Sequence, residues 1–153
     1  MESIIVGELL YDVTAHFTKV TEYGVSLAAV VSGQVAPMPA GARFDVAFEG
    51  ISRGPKLIGT ISGVDYVQVR ADGRIQLHIH ATITTEDGAT IAYFADGVAT
   101  PDQNTGGAQV RELWHVTLTT SSPAYAWVNQ LQGLAQATVD PAKGEIAVKG
   151  YAT

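Results

Sequence analysis

Apolar and polar residues alternate along most of this chain with a period of two, the pattern of half-buried β-strands rather than of helices. Short runs rich in Val, Ile, Thr and aromatics recur between clusters of Gly, Asp, Pro and Ser, at 4–17, 25–35, 43–49, 57–61, 64–70, 75–85, 89–98, 109–120, 134–139 and 145–151. Turn signals at that spacing predict an all-β domain, a sandwich or a barrel. One short helix is predicted late in the chain. Ser122-Pro123 supplies a capping residue and a proline at the first helical position, and 124–131 follows with Trp127 and Leu131 four apart. A meander of about nine to ten antiparallel strands with one late helix favours a closed or nearly closed barrel, the helix plugging one end, because closure removes edge strands that template aggregation. The polar stretch 100–107 is long enough for a lid and reads first as a connector.

Two Asp-Gly dipeptides, Asp72-Gly73 and Asp87-Gly88, mark hairpins, since this pair supplies the positive φ angles of a type I′ turn. If each is a two-residue loop, Ala71 faces Arg74 and Glu86 faces Ala89. Counting back sets Val67 opposite His78, Asp65 opposite His80 and Thr82 opposite Tyr93. Alternation then places Asp65, Val67, His78, His80, Thr82 and Tyr93 on one mixed face, with Leu77, Ile79, Ala81 and Ile83 on an apolar one.

That mixed face carries the candidate chemistry. A carboxylate beside an imidazole orients the ring and raises its pKa, so Asp65 and His80 are candidate acid–base groups; the alternative is a solvent-facing cross-strand pair. Tyr93 would orient a carbonyl or enolate oxygen, or is an ordinary strand aromatic. Arg43, on an otherwise apolar strand, reads as an anion clamp or as a surface residue with its stem packed. Arg43, Val67, His78, Thr82 and Trp127 are the candidate substrate-binding residues, Trp127 being otherwise core. Trp114 and His115 take opposite faces of one strand, so only one of them can face a lumen.

Composition narrows the classes. A chain of 153 residues, 46% hydrophobic and 16% charged, reads as a single domain over 1–153. Net charge −6 and nine scattered Lys and Arg argue against nucleic acid or an anionic membrane surface as partner. The absence of cysteine excludes disulfides, zinc thiolates and thiol catalysis. An acid near the N-terminus and no apolar run of roughly 20 residues predict a cytoplasmic protein. His78-x-His80, with Glu86 at the same parity, is metal-ligand spacing and faintly resembles the first cupin metal motif, but the spacings differ and no second motif follows. No stoichiometric metal is therefore expected. No dinucleotide, P-loop or nucleophile-elbow signature appears, which leaves a cofactor-independent site.

Short motifs carry a resemblance to a known family. In order they are Gly41-Ala42-Arg43, Gly54-Pro55-Lys56-Leu57-Ile58-Gly59, Val64-Asp65-Tyr66, Arg70-Ala71-Asp72-Gly73, Thr85-Glu86-Asp87-Gly88-Ala89-Thr90-Ile91 and Tyr125-Ala126-Trp127-Val128-Asn129. Over roughly residues 25 to 151 the chain resembles the DUF3237 (UPF0311) family of small β-barrel proteins, mostly of unassigned function. Where the family tends to read Asp-Ala-Arg after its R-x-D-G, this chain reads His78-Ile79-His80, a titratable group in place of a fixed charge. The reading that results is a cofactor-independent barrel enzyme of isomerase, lyase or cyclase type. It would act on a hydrophobic organic metabolite held in the lumen. A non-catalytic ligand-binding barrel is the alternative, and a metal-dependent cupin-like enzyme the third. A homodimer is plausible from the mixed face.

Overall fold

The structure is a computed structural model that describes residue 3, residues 5–36 and residues 38–153. Eight strands form one closed antiparallel barrel in sequence order: β1 Leu9–Glu22, β2 Ala42–Arg53, β3 Ile58–Val69, β4 Ile75–Thr85, β5 Thr90–Pro101, β6 Val110–Thr119, β7 Gly133–Asp140 and β8 Glu145–Tyr151. β8 closes the ring on β1, with Val148 opposite Val13. Among the described residues no helix is long and apolar enough to cross a membrane.

The strand count falls below nine to ten for two local reasons. Segments 57–61 and 64–70 are one strand, β3. The Gly63 between them is not a turn: a Cβ there would lie 2.5 Å from the Ala81 Cβ, so the glycine permits two backbones to approach at a bend of the barrel wall. Segment 25–35 holds a short helix instead, α1 Leu27–Val31. Ser26 caps it by accepting from the Ala29 N–H at 3.3 Å, and the Glu22 carboxylate accepts from Leu27 N–H at 2.6 Å. The first strand begins at Leu9, and the start expected at Ile4 lies outside the described residues.

Both Asp-Gly turns depart from the expected geometry in the same way. Arg70 N–H donates to the Arg74 carbonyl and Thr85 N–H to the Ala89 carbonyl, both at 2.9 Å, which makes each loop three residues long. Within each turn only the glycine takes positive φ, 89° at Gly73 and 94° at Gly88, and among the described residues no non-glycine residue does, so the paired positive angles of type I′ are absent. This is the type I turn plus glycine bulge, the next commonest hairpin closure. One added residue slips each register by one. Asp65 pairs with Ile79, Val64 with His80, Thr82 with Ala92 and Ala81 with Tyr93.

A one-residue slip exchanges faces between neighbouring strands. β4 buries Ile75, Leu77, Ile79, Ala81 and Ile83 and exposes His78, His80 and Thr82. β3 and β5 turn Val67, Tyr93 and Ala95 to that same buried side, and Asp65 with them. The barrel end holding the β2–β3, β4–β5 and β6–β7 connections is filled by Leu10, Leu57, Ile83, Ile91 and Val128, all 2% exposed or less. Val128 comes from the late helix, which forms as a 3₁₀ helix, Pro123–Gln130. Asn129 clips it to the end of β6, accepting from Thr120 N–H and donating to the Thr120 carbonyl, both at 2.8 Å. The Tyr125 hydroxyl reaches Asp87 in the β4–β5 turn at 2.9 Å. The helix plugs the barrel as expected, but through Val128; Trp127 is 38% exposed.

Candidate functional site

The other end of the barrel holds a cavity of about 70 Å³ beneath α1, with Leu27 and Val31 above it and Pro141 beside them. That is room for several water molecules, at roughly 10–15 Å³ for each. Most of its wall is aliphatic, and its polar groups are few: Asp65 on β3, Tyr11 on β1, Tyr93 on β5, and Glu112 and Trp114 on β6. Among the described residues no Lys, Arg or His lines it.

Neighbouring glycines shape the room for the large rings. Tyr11 lies across β8 at Gly150, where a Cβ would fall 1.9 Å from the ring, and the Trp114 ring lies 2.9 Å from where a Gly97 Cβ would be. The two tyrosine hydroxyls hydrogen-bond each other at 2.7 Å, their rings edge to face with centroids 5.8 Å apart. Burial pushes both phenols well above their ordinary pKa, so both stay neutral and one hydroxyl donates to the other. Glu112, 8% exposed, accepts from the Trp114 indole N–H at 3.0 Å. Burial first, and then the nearby Asp65 charge, raise its pKa to about 8 against the weaker pull of the indole. Burial raises Asp65 to about 7, opposed by the hydrogen bond from the His78 backbone N–H at 3.1 Å. Two interacting carboxyls in an apolar cavity titrate near neutrality instead of near pH 4, which suits an acid and a base working together.

Of the three residues expected to be catalytic, the barrel brings Asp65 and Tyr93 into the cavity and leaves His80 outside. No Asp65–His80 pair forms, because the bulged turn places them on opposite faces. Val67 lines the cavity, whereas His78 and Thr82 stand on the exterior of β4. Arg43 is also exterior: its Nε donates to Asp45 at 3.2 Å and its guanidinium lies over the rings of Tyr23 and Tyr66, at 5.8 and 5.7 Å. Among the described residues no group of three ligating side chains is placed to hold a metal, so His78, His80 and Glu86 do not assemble a cupin-like centre. Glu112, Tyr11 and Trp114 escaped sequence reasoning. The available signal was parity: Glu112 and Trp114 alternate with Val110, Val116 and Leu118, which makes a glutamate part of a core face.

An eight-stranded closed antiparallel barrel defines the fold class. The chain belongs to the family described as "Protein of unknown function (DUF3237)", which matches residues 15–152. Solved structures share the fold. A β-barrel-like protein from Acinetobacter baumannii AYE is 21% identical, with 95% of this chain and 93% of that one covered and a TM-score of 0.75. A protein of unknown function from Clostridium acetobutylicum is 23% identical, with 95% and 96% covered and a TM-score of 0.75. An enzyme from Penicillium herquei is 22% identical, with 99% and 98% covered and a TM-score of 0.60. No curated protein matches the chain in sequence.

Proposed function

We propose that this barrel is a cofactor-independent enzyme of the isomerase, lyase or cyclase type, acting by proton transfer on a hydrophobic organic metabolite held in the lumen. One observation carries the reading: Asp65 and Glu112 share an apolar cavity that no basic side chain among the described residues lines, and burial raises Asp65 to about 7 and Glu112 to about 8, which leaves a base on Asp65 and a proton on Glu112 near neutral pH. The Asp65 carboxylate takes a proton from carbon next to a carbonyl, while the Glu112 acid or the Tyr11–Tyr93 hydroxyl pair donates to the developing enolate oxygen. Return of the proton at another carbon isomerises the substrate, and departure of a β-substituent with its bonding pair gives the lyase outcome. In the cyclase outcome an internal hydroxyl adds to the β-carbon of an α,β-unsaturated carbonyl, its proton passing to the Asp65 carboxylate while the C=C π bond breaks and the α-carbon takes a proton from Glu112. The aliphatic wall selects for hydrophobic substrates by shape. The Penicillium herquei enzyme lends support by analogy of fold, since it places an enzyme on a similar barrel.

Solvent-deuterium exchange tests this. A panel of hydrophobic enolisable ketones is incubated in D₂O with the protein, and loss of the α-proton signals is followed by NMR. At least one should exchange faster than the blank, with a loss on the order of 100-fold in Asp65→Asn. Saturable binding without exchange across the panel would favour the ligand-carrier reading, and neither binding nor exchange would overturn the proposal.

A further inference from the structure

The residues that the register slip sends outside form their own constellation. His78 and His80, two apart on β4, point the same way, and their Nε2 atoms lie 2.9 Å apart. Asp96, opposite His78 on β5, holds its Nδ1 at 2.5 Å through Oδ1. A carboxylate on Nδ1 fixes that nitrogen as the proton carrier and leaves the Nε2 lone pair to accept from His80 Nε2, the carboxylate–histidine arrangement found behind metal-ligating imidazoles. The His80 ring stands edge-on to Phe94 and Tyr66, with centroids 4.9 and 5.8 Å away, which restricts its rotation.

We infer that His78 and His80 form an exterior chelate for a divalent transition ion of the zinc, nickel or copper type, with Asp96 orienting His78. Metal–imidazole bonds of about 2.0–2.1 Å at a tetrahedral centre set the two nitrogens about 3.3 Å apart, so the pair need open by only a few tenths of an ångström. Both residues are exposed. Imidazole pairs suit these ions and not calcium or magnesium. Among the described residues no third ligand converges, so water fills the remaining positions. The site lies on the solvent side of β4, and its link to the lumen is the His78 backbone N–H, from which Asp65 accepts at 3.1 Å.

The test uses the full chain without a histidine tag, stripped of metal by chelation. Titration with Zn²⁺, followed by calorimetry and by NMR of the imidazole resonances, should give saturable binding of one ion per chain and shift His78 and His80 together. His78→Gln and His80→Gln should each weaken binding at least tenfold, and Asp96→Asn about tenfold. The control His16→Gln, on the far side of the barrel beside Glu49, should change nothing. No saturable binding at millimolar Zn²⁺, an affinity untouched by either β4 variant, or an equal loss in His16→Gln would overturn the proposal.

Discussion

At the residue scale, the barrel's chemistry lies in side chains that burial has made unusual. Glu112 carries a folded-state pKa of about 8 against an ordinary value of 4.5, so the folded protein holds a proton that the unfolded chain releases. Its contribution to stability is fully present below the unfolded value and is lost as pH rises through the folded one. Thermal stability should therefore fall between about pH 4.5 and pH 8, and Glu112→Gln should flatten that slope, raising the melting temperature at pH 9 while leaving it little changed at pH 5. A slope unaltered by the substitution would mean that the carboxyl is not buried beside Trp114. Gly150→Ala tests the packing of the tyrosine pair. The added methyl collides with the Tyr11 ring, and overpacking of this kind should cost about 1–3 kcal/mol in denaturant unfolding and disturb the Tyr11–Tyr93 hydrogen bond. Asp65 and Tyr93 were legible in the sequence as site candidates. Glu112 was not, because a glutamate in an alternating strand reads as an outward residue unless its parity is compared with the apolar positions around it.

At the element scale, the hairpin turns decide which side chains meet. The Asp-Gly dipeptides mark both turns correctly, yet the choice between a two-residue and a three-residue loop is not written in the dipeptide, since both closures want glycine at a positive φ. Each strand's own alternation was readable; the phase between strands was not. Gly88→Ala should cost about 1–2 kcal/mol, because an L-residue in the left-handed region is strained, and a distinctly smaller loss in urea unfolding would argue against the bulged turn. The late helix follows its sequence signals in position and in the proline at its start, but its attachment rests on Asn129 and Tyr125. Asn129→Ala removes two hydrogen bonds to Thr120 and should destabilise by about 1–3 kcal/mol, read as a lower midpoint in the same experiment. The helix α1 was hidden inside a run of Val, Leu and Ala that also suits a strand; Ser26 was the one capping signal that could have separated the two.

At the scale of the whole molecule, a closed barrel divides every strand into a lumen face and a solvent face, and the division is what makes the site. The sequence by itself determined the class: period-two alternation, turn residues between short runs, a late proline-capped helix and the order of short motifs all follow from local backbone preferences, which each stretch of chain satisfies alone. It also fixed the chemical stock, few charges, no thiol and four histidines. Only the tertiary structure decided which of those groups share a space. Closure of β8 on β1 carries Tyr11 from one end of the chain to Tyr93, 82 residues away, and brings Glu112 within reach of the Asp65 charge. The bulged turn sends His80 outside while Asp65 stays in the cavity, and desolvation there moves the carboxyls toward neutrality. Pairing phase, ring closure and burial are sums over many distant contacts, and no local run of residues encodes them.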